Sequence, residues 1–226
     1  VVPQWLACWD RPEAWDDIAG LCYLDAKGRY HDHGTARVLR FAELVPPEES
    51  RFFNWSKPFV QLETTRGCFN TCAFCVSGGE KPVRTLGLDA IRRRLDIIRQ
   101  HGIRNVRVLD RTFNYNNRRA LELLELFREY HPHIRFHLEI HPALLTEELR
   151  QELARLPQGL LHLEAGIQSL HEEVLETSMR KGKLSDALDG LKSLCSLPNM
   201  ETHADLIAGL PFYHLEQIFE DLSLIH

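Results

Sequence analysis

The chain contains 226 residues, 44% of them hydrophobic, which is enough for one large or two small domains with an ample core. The net charge of -5 gives no reason to expect binding to nucleic acid or to a membrane surface. No apolar run approaches the roughly 18 residues of a membrane span, and no signal peptide is visible.

Residues 1–58 differ in pattern from the rest of the chain and predict a small α+β segment that leads into a main domain, residues 59–226. Aromatic and acidic residues at the start fit a short helix: Trp5, Trp9, Trp15, Asp16 and Asp17. The turn residues 25–28 separate two strand-like stretches and predict a hairpin. A short strand at Val38–Arg40 and a linker at Pro46-Pro47 complete the segment.

Three potential metal ligands lie at the end of the predicted hairpin: His31, Asp32 and His33. Imidazole and carboxylate groups are both ligands of divalent metals. Polar residues at a hairpin end are usually solvated, however, so we predict that these three face solvent.

A loop with three thiols follows the first strand-like run of the main domain: Cys68, Cys72 and Cys75, at spacing C-x3-C-x2-C. Thiolates are soft ligands that select iron–sulfur clusters, zinc or copper(I), and a full [4Fe-4S] site normally takes four of them. Three thiols in one tight loop therefore predict a cubane with one iron left open for a small molecule. The alternative is a structural zinc site, but zinc prefers four closed ligands, and the nearest histidines are His33 and His101.

The remaining cysteines are Cys8, Cys22 and Cys195. Their odd number and scattered positions argue against a disulfide framework. We therefore predict a reducing, cytoplasmic location.

The cysteine loop resembles the signature of the radical S-adenosylmethionine (SAM) superfamily. The match includes Arg66-Gly67 before the first cysteine and the aromatic Phe74 just before the last. In that family the open iron of a [4Fe-4S] cluster chelates the amino and carboxylate groups of SAM, and reductive cleavage releases a 5′-deoxyadenosyl radical. The resemblance implies an enzyme with a [4Fe-4S] cluster and SAM as cofactors, the three cysteines as metal ligands and Phe74 among the cofactor-binding residues.

From residue 59 onward, short apolar runs alternate with stretches of helical period, which predicts strand–helix units and a parallel sheet. The predicted strands are residues 59–65, 105–109, 134–140, 160–165 and 201–207. The predicted helices are residues 86–101 and 117–130, one from 146, one from 170 that is interrupted at 182, 185–197, and one from 214. With the resemblance, these five units imply an α/β fold, a partial TIM-like (β/α)6 radical SAM barrel. The run Arg92-Arg93-Arg94 on the first of these helices predicts a solvated face.

A parallel barrel presents its chemistry at the carboxyl ends of its strands. There the resemblance implies a set of SAM contacts: Asp110 with the amino group, Glu164 and Gln168 with the ribose and carboxylate, Arg180 with the carboxylate, and Gly209 beside the adenine. A planar guanidinium suits a bidentate carboxylate contact, and glycine permits close backbone approach.

Simpler structural roles remain open for the same positions. Asp110 or Asn114 would cap the helix that follows, and Ser169 would cap the helix after its turn. The basic loop around Arg180 would be ordinary surface, and Gly209 would serve a plain strand-to-helix turn.

Two further ionisable residues lie at the end of the strand predicted at residues 134–140. Glu139 alternates with apolar positions and is expected to point into the barrel, where an unpaired carboxylate is costly, so it needs a partner or ligand. His141, which precedes Pro142, suits proton transfer near a substrate, but a structural role is more common for a histidine in that position.

The motifs are most similar to the branch of the superfamily that carries an N-terminal cobalamin-binding domain, particularly at residues 108–114 and 164–169. The chain has no D-x-H-x-x-G cobalamin motif, so residues 1–58 would link the barrel to such a domain elsewhere. The resemblance implies a small-molecule or natural-product substrate, an electron donor such as flavodoxin or ferredoxin, and cobalamin-dependent methyl transfer as one outcome. Gly78-Gly79-Glu80 has the letters of a family motif but lies in the cysteine loop, so no role is assigned to it.

Two other classes of function remain open. A non-catalytic iron–sulfur or zinc scaffold would bind metal without responding to SAM. A cobalamin-independent enzyme, such as a methylthiotransferase-like member, would cleave SAM without a cobalamin domain.

Overall fold

The computed structural model describes residues 1–36, 41, 44–77 and 81–226. They form two compact units, Val1–Phe41 and Ala42–His226. The domain boundary predicted after residue 58 stays a prediction, because compactness alone does not define where a functional domain begins. Every helix in the described ranges is too short or too polar to span a lipid bilayer.

The first unit contains only short elements in its described part. Helix α1 covers Val2–Leu6, a 3-10 helix covers Pro12–Asp17, and strands β1 (Cys22–Leu24) and β2 (Tyr30–Asp32) pair antiparallel. The predicted α+β character and the hairpin are therefore present, whereas the predicted helix around the tryptophans is two separate short helices. The strand predicted at Val38–Arg40 lies outside the described residues.

The histidines at the hairpin end are not simply solvated, which corrects the sequence-based prediction. His31 stacks on Tyr23 with ring centroids 4.7 Å apart, and His33 Nε2 lies 3.2 Å from Asp16 Oδ1. Asp16, rather than Asp32, joins the two histidines in a group whose ligand atoms all lie within 4.8 Å of one another. The aromatic stacking on Tyr23 is the contact that the pattern of polar letters did not reveal.

Repeated strand–helix units around a parallel sheet build the second unit. Its strands are β3 (Val60–Leu62), β4 (Thr65–Arg66), β5 (Arg84–Thr85), β6 (Asn105–Val108), β7 (Arg135–Ile140), β8 (Leu161–Gln168) and β9 (Glu201–Leu206). Its α-helices are α2 (Leu88–Gln100), α3 (Asn117–Arg128), α4 (Glu147–Arg155), α5 (Glu172–Thr177), α6 (Leu184–Cys195) and α7 (Leu215–Ile225), and short 3-10 helices cover Pro47–Glu49, Phe113–Tyr115 and Pro142–Leu144. Strands β3, β6, β7, β8 and β9 form one parallel sheet in that spatial order. The structure confirms the predicted α/β fold and the partial TIM-like barrel.

The strand predicted at residues 59–65 is divided in the structure. Strand β3 ends at Leu62, and β4 leaves the sheet to pair antiparallel with β5. The division has a local cause, because one carboxylate oxygen of Asp110 accepts hydrogen bonds from the backbone N–H groups of Thr64 and Thr65, at 2.8 Å each. Those two amides therefore cannot continue the parallel ladder.

The start of α3 corrects another prediction. The side chain of Asn116 caps this helix by accepting from the N–H of Arg119 at 3.0 Å, so neither Asp110 nor Asn114 is the cap. Asn114 instead exchanges two hydrogen bonds with the backbone of His141, at 2.8 and 3.0 Å. This exchange fixes the loop after β6 against the end of β7.

The strands of the sheet carry apolar side chains on one face and polar side chains on the other. Burial alternates residue by residue along β7 and β8. The fully buried set, on the face that the outer ring of helices covers, includes Val106, Phe136, Leu138 and Leu163. The alternate set on the inner face is ionisable and only partly buried: Arg135, His137, Glu139, His162 and Glu164.

Helix α2 holds one charge that is not solvated, against the prediction for Arg92-Arg93-Arg94. The side chain of Arg94 is 8% exposed and forms a bidentate ion pair with Glu48, whose side chain is 0% exposed. Arg93 remains 62% exposed, as predicted. Position 94 falls among the buried residues of the helix, which include Ile91 and Leu95, so the guanidinium needs a buried partner.

Candidate active site

The three cysteines of the signature lie in the loop between β4 and β5. This loop follows the carboxyl end of β3. Cys72 is buried, whereas Cys68 and Cys75 are partly exposed. Backbone hydrogen bonds fold the loop on itself, since Cys75 N–H donates to the Cys72 carbonyl at 3.1 Å and Asn70 N–H donates to Cys68 Sγ at 3.4 Å. The loop thus presents three free sulfurs from one short segment.

A second loop, residues 178–181, holds the cysteine loop in place. Ala73 N–H donates to the Ser178 carbonyl at 3.0 Å, and Lys181 N–H donates to Asn70 Oδ1 at 3.1 Å. Asn70 is only 4% exposed, so its side chain is a buried connector between loops that lie far apart in the sequence. These contacts deliver Arg180 to the cysteine loop.

Arg180 lies against the thiol of Cys72. Burial raises the pKa of Cys72, while the neighbouring guanidinium of Arg180 opposes that rise. Burial in turn lowers the pKa of Arg180, against the attraction of the Cys72 and Cys68 sulfurs. Arg180 also donates to the carbonyl of Gly166 at 2.5 Å, which ties the loop to the end of β8. The positive charge of Arg180 therefore offsets part of the effect of burial on Cys72, whose pKa is still raised overall.

The donor set fits an iron–sulfur cluster better than a single zinc ion. Two other groups of side chains in the described ranges have their ligand atoms within 4.8 Å of one another, and the three cysteines are not one of them. Ligands at about 2.3 Å from one zinc ion would have to converge more closely than that. A cluster binds each thiolate through a different iron and so accepts a wider separation.

Asp110, expected to contact the amino group of SAM, is 1% exposed. Besides the two backbone bonds described above, its second oxygen accepts a hydrogen bond from the Thr64 hydroxyl. Burial raises the pKa of Asp110, and the hydrogen bonds from Thr64 and Thr65 oppose that rise. In this arrangement the carboxylate fixes the path of the chain from β3 into the cysteine loop, and the contact with an ammonium group stays a prediction.

Three of the predicted SAM-binding residues meet in one cavity of about 90 Å³ at the carboxyl edge of the sheet: Glu164, Gln168 and Arg180. Glu139, His141 and Asp205 line the same cavity. Phe74 and Gly209 do not line it. Phe74 is 37% exposed, and Gly209 has a φ of +87° with open space where a Cβ would lie.

Gln168 is placed by an irregularity at the end of β8. Its φ is +72°, and the pairing of β8 with β9 shifts register between Gly166 and Gln168. A Cβ on Gly166 would lie 2.7 Å from Gln168 Nε2, so the glycine makes room for the amide. Gln168 Oε1 is buried and has no hydrogen-bond partner among the described residues. A buried, unpaired acceptor beside a cavity is the kind of group that a ligand satisfies.

The carboxyl groups around this cavity perturb one another. Burial raises the pKa of Glu139, and the nearby charge of Glu164 adds to the rise. Burial and a hydrogen bond with Glu164 raise the pKa of Asp205 to about 6. Burial also raises the pKa of Glu164, but its hydrogen bonds with Asp205 and His137 outweigh that effect and lower the pKa overall. The expected need of Glu139 for a compensating group is thus real, and Arg111 supplies part of it.

His141 is 5% exposed, and its Nε2 lies 3.0 Å from the Lys181 carbonyl. Burial and the charge of Arg180 lower the pKa of His141 to about 4. The histidine is therefore neutral near pH 7 and helps to hold the loop of residues 178–181.

The sequence interpretation missed a group of histidines lower on the inner face, namely His137, His162 and His203. They line a second cavity of about 450 Å³, to which Glu164 also contributes. Each occupies an alternate, inward position on its own strand, and the strand register that brings them together was not available from the pattern. A signal was nonetheless present, because histidine recurs among apolar residues in three predicted strands.

The sequence model of the Radical SAM superfamily matches residues 62–225, which is most of the chain. A tRNA-2-methylthio-N(6)-dimethylallyladenosine synthase from Psychrobacter sp. (strain PRwf-1) is 27% identical over 182 residues, which is 74% of this chain and 36% of that protein. A ribosomal protein uS12 methylthiotransferase RimO from Clostridium tetani (strain Massachusetts / E88) is 24% identical over 81% of this chain and 43% of its own length. The chain therefore spans less than half of these curated relatives.

Among solved structures, the cobalamin-dependent S-adenosylmethionine radical enzyme OxsB superimposes with a TM-score of 0.66 and 20% identity, over 92% of this chain and 32% of that one. The radical S-adenosylmethionine methyltransferase TsrM from Kitasatospora setae gives a TM-score of 0.62 and 18% identity, over 74% of this chain and 33% of that one. At these identities the likeness shows a shared fold.

Proposed function

Because the chain belongs to the radical SAM superfamily, we propose that it is the core of an enzyme that cleaves SAM reductively and starts radical chemistry on a substrate. The observation that carries the proposal is the loop of Cys68, Cys72 and Cys75, three free thiols at the carboxyl edge of a parallel sheet. All three lie within the segment that matches the superfamily. Three thiol ligands leave one iron of a [4Fe-4S] cluster for SAM.

When bound, the cluster and SAM supply an electron and a 5′-deoxyadenosyl radical, which removes hydrogen from a substrate. The protein's part is to orient these groups and to exclude water. Arg180, which lies against Cys72, would pair with the SAM carboxylate, and the unpaired Oε1 of Gln168 would accept from a SAM hydroxyl or amine. Glu164 would accept from the ribose at the same cavity.

Phe74 and Gly209 are proposed as further contacts of the bound cofactor. Phe74 precedes the last cysteine and exposes 37% of its surface, which leaves its ring available to a ligand. No heavy atom of the described residues lies within 4 Å of where a Cβ of Gly209 would be, which suits approach of a flat adenine. Asp110 would support the site indirectly, because its hydrogen bonds with Thr64 and Thr65 fix the backbone that leads into the cysteine loop.

The finer reaction that we favour is cobalamin-dependent methyl transfer to a small molecule or natural product. Its support is the structural likeness to two enzymes of which one is named cobalamin-dependent and the other a methyltransferase. Cobalamin would bind a domain other than residues 1–226, with residues 1–58 as the connecting segment. A flavodoxin or ferredoxin in the cytoplasm would deliver the electron, in keeping with six cysteines that are all free.

A second candidate is cobalamin-independent methylthiolation of tRNA. The names of the curated relatives favour it, and they bear against the prediction that nucleic acid is not a partner. Addition of cobalamin discriminates between the candidates. Methyl transfer that depends on cobalamin supports the first, whereas further cysteine clusters or an RNA-binding domain in the full-length protein support the second.

The test of the shared step is anaerobic reconstitution with iron and sulfide, followed by reduction and measurement of 5′-deoxyadenosine released from SAM. We expect release by the wild type and by Cys195→Ala, whose thiol is exposed at the end of α6. Cys75→Ala should release none. A protein that assembles a cluster but releases no 5′-deoxyadenosine contradicts the proposal and favours a non-catalytic iron–sulfur scaffold.

A further inference from the structure

Five ionisable side chains converge on the inner face of the sheet, below the cysteine loop. His137 lies on β7, His162 and Glu164 on β8, and His203 and Asp205 on β9. Strand register pairs His137 with His162 and Glu164 with His203. Paired residues of neighbouring parallel strands point to the same face of the sheet, so these side chains are neighbours. The proposed SAM chemistry uses none of the three histidines.

His203 lies near two carboxylates that are hydrogen-bonded to each other, but it is too far from either of them for a hydrogen bond of its own. His203 Nε2 lies 3.7 Å from Glu164 Oε2 and 3.9 Å from Asp205 Oδ1. Both distances exceed the range of a hydrogen bond. Ligands at about 2.1 Å from a tetrahedral ion lie about 3.4 Å apart, so a small inward movement would bring these three atoms around one ion. The three ligand atoms already lie within 4.8 Å of one another.

The second nitrogen of His203 lies within hydrogen-bond distance of another histidine. His203 Nδ1 lies 2.8 Å from His162 Nε2, so one of these nitrogens donates to the other. If His203 Nδ1 carries the hydrogen, its Nε2 directs a lone pair at the two carboxylates. Histidines that bind metals commonly donate their other N–H to a neighbouring acceptor in this manner.

The surroundings supply orientation and an open side. His137 Nε2 lies 2.8 Å from Glu164 Oε2 and can hold that carboxylate toward His203. The cavity of about 450 Å³ adjoins the group and has room for a further oxygen ligand. Arg107, stacked over Phe59 at 4.3 Å, gives one wall of that cavity a positive charge. Glu164 lines both cavities, so its oxygens can serve an ion below and the SAM side above.

We propose that Glu164, His203 and Asp205 bind a divalent transition-metal ion, of which Zn²⁺ is the representative, with His137 and His162 as positioning residues. Imidazole selects zinc, iron, nickel and copper over magnesium and calcium, and the two carboxylates neutralise the charge of the ion. The open position facing the larger cavity would take water or a substrate oxygen. This site is separate from the three cysteines and does not depend on SAM cleavage.

The test measures zinc and iron separately in the reconstituted protein by mass spectrometry, after passage over a chelating resin and titration with Zn²⁺. We expect the wild type to bind one more Zn²⁺ per chain than the His203→Gln variant. In that variant the affinity of this site for Zn²⁺ should be about 100-fold lower or weaker still. His137→Gln, which removes only an orienting contact, should weaken zinc binding about 10-fold. His31→Gln is the matched control, because it removes a histidine from the group of potential ligands in the first unit. It should leave the Zn²⁺ ion at Glu164, His203 and Asp205 bound.

Co²⁺ provides a check that needs no variant. Bound to imidazole and carboxylate in the cluster-loaded protein, it should show visible d–d absorption without the charge-transfer band of a cobalt–thiolate bond. Equal zinc affinity in wild type and His203→Gln, or Co²⁺ that binds only through thiolates, overturns the proposal. Iron content reports on the cysteine site in the same samples, so a failure of the zinc site is distinguishable from a failure of the cluster.

Discussion

Adjacent residues of strand β7 show how differently the two faces of the sheet are built. Phe136 and Leu138 are 0% exposed on the outer face, whereas His137 and Glu139 line cavities on the inner face. Parallel strands buried on both faces usually form nearly continuous apolar runs. Here every second residue is ionisable, at a cost in stability that an apolar residue would not incur. The outer face therefore stabilises the fold, and the inner face with its carboxyl edge is where we propose that the chemistry takes place.

The largest effect should come from the carboxyl edge, where chemistry and stability separate most clearly. Cys72→Ala removes one of three cluster ligands and should abolish cluster assembly, because two thiols cannot hold the cubane. Iron content and cluster absorbance after anaerobic reconstitution measure this loss. Cys195→Ala, at an exposed thiol on α6, should assemble a normal cluster. Equal loss of the cluster in both variants would contradict the assignment of Cys68, Cys72 and Cys75 as its ligands.

A buried charge in the outer layer tests whether polar groups there are structural. Arg94→Met leaves the fully buried carboxylate of Glu48 without its partner and should lower the free energy of unfolding by about 4 kcal/mol. Arg93→Met breaks only the exposed 3.4 Å pair with Glu49 and should cost less than about 1 kcal/mol. Urea denaturation measures both values. Similar losses would show that burial of the Arg94 pair has no special weight.

Leu138→Ala tests the outer face itself. The side chain is 0% exposed, and its truncation leaves a cavity between sheet and helices that should cost about 3 kcal/mol in the free energy of unfolding. Cluster content per folded protein should remain normal, since Leu138 points away from the cysteine loop. A Leu138→Ala protein that unfolds like the wild type would contradict the division of the two faces.

Glu139→Gln, one residue further along β7, should change the free energy of unfolding least. It should raise that free energy, whereas the substitutions of Arg93, Arg94 and Leu138 lower it. Burial and Glu164 raise the pKa of Glu139, so its contribution to stability is fully present below the ordinary glutamate pKa and is lost as pH rises through the raised one. Relative to the wild type, the Glu139→Gln variant should therefore gain stability as pH rises from 5 to 8, by on the order of 0.5 kcal/mol at pH 8. Unfolding curves at both pH values measure the difference, and a variant that becomes less stable relative to the wild type as pH rises would be the contrary result.

Features that depend on local sequence were predictable, and those that depend on distant partners were not. Apolar periodicity predicted the parallel strands, and spacing predicted the cysteine loop. The ion pair of Arg94 with Glu48 and the hydrogen bond from Thr64 to Asp110 each join residues 46 positions apart, so no local pattern reveals them. In the same way, His203 meets Glu164 only through the register of β8 and β9.

The most direct test of the central claim is electron paramagnetic resonance of the reconstituted, reduced protein with and without SAM. A cluster held by Cys68, Cys72 and Cys75 has an iron without a protein ligand, so the account predicts a [4Fe-4S] signal whose g-values change when SAM is added. A signal that is the same with and without SAM, or zinc in place of the cluster, would contradict it.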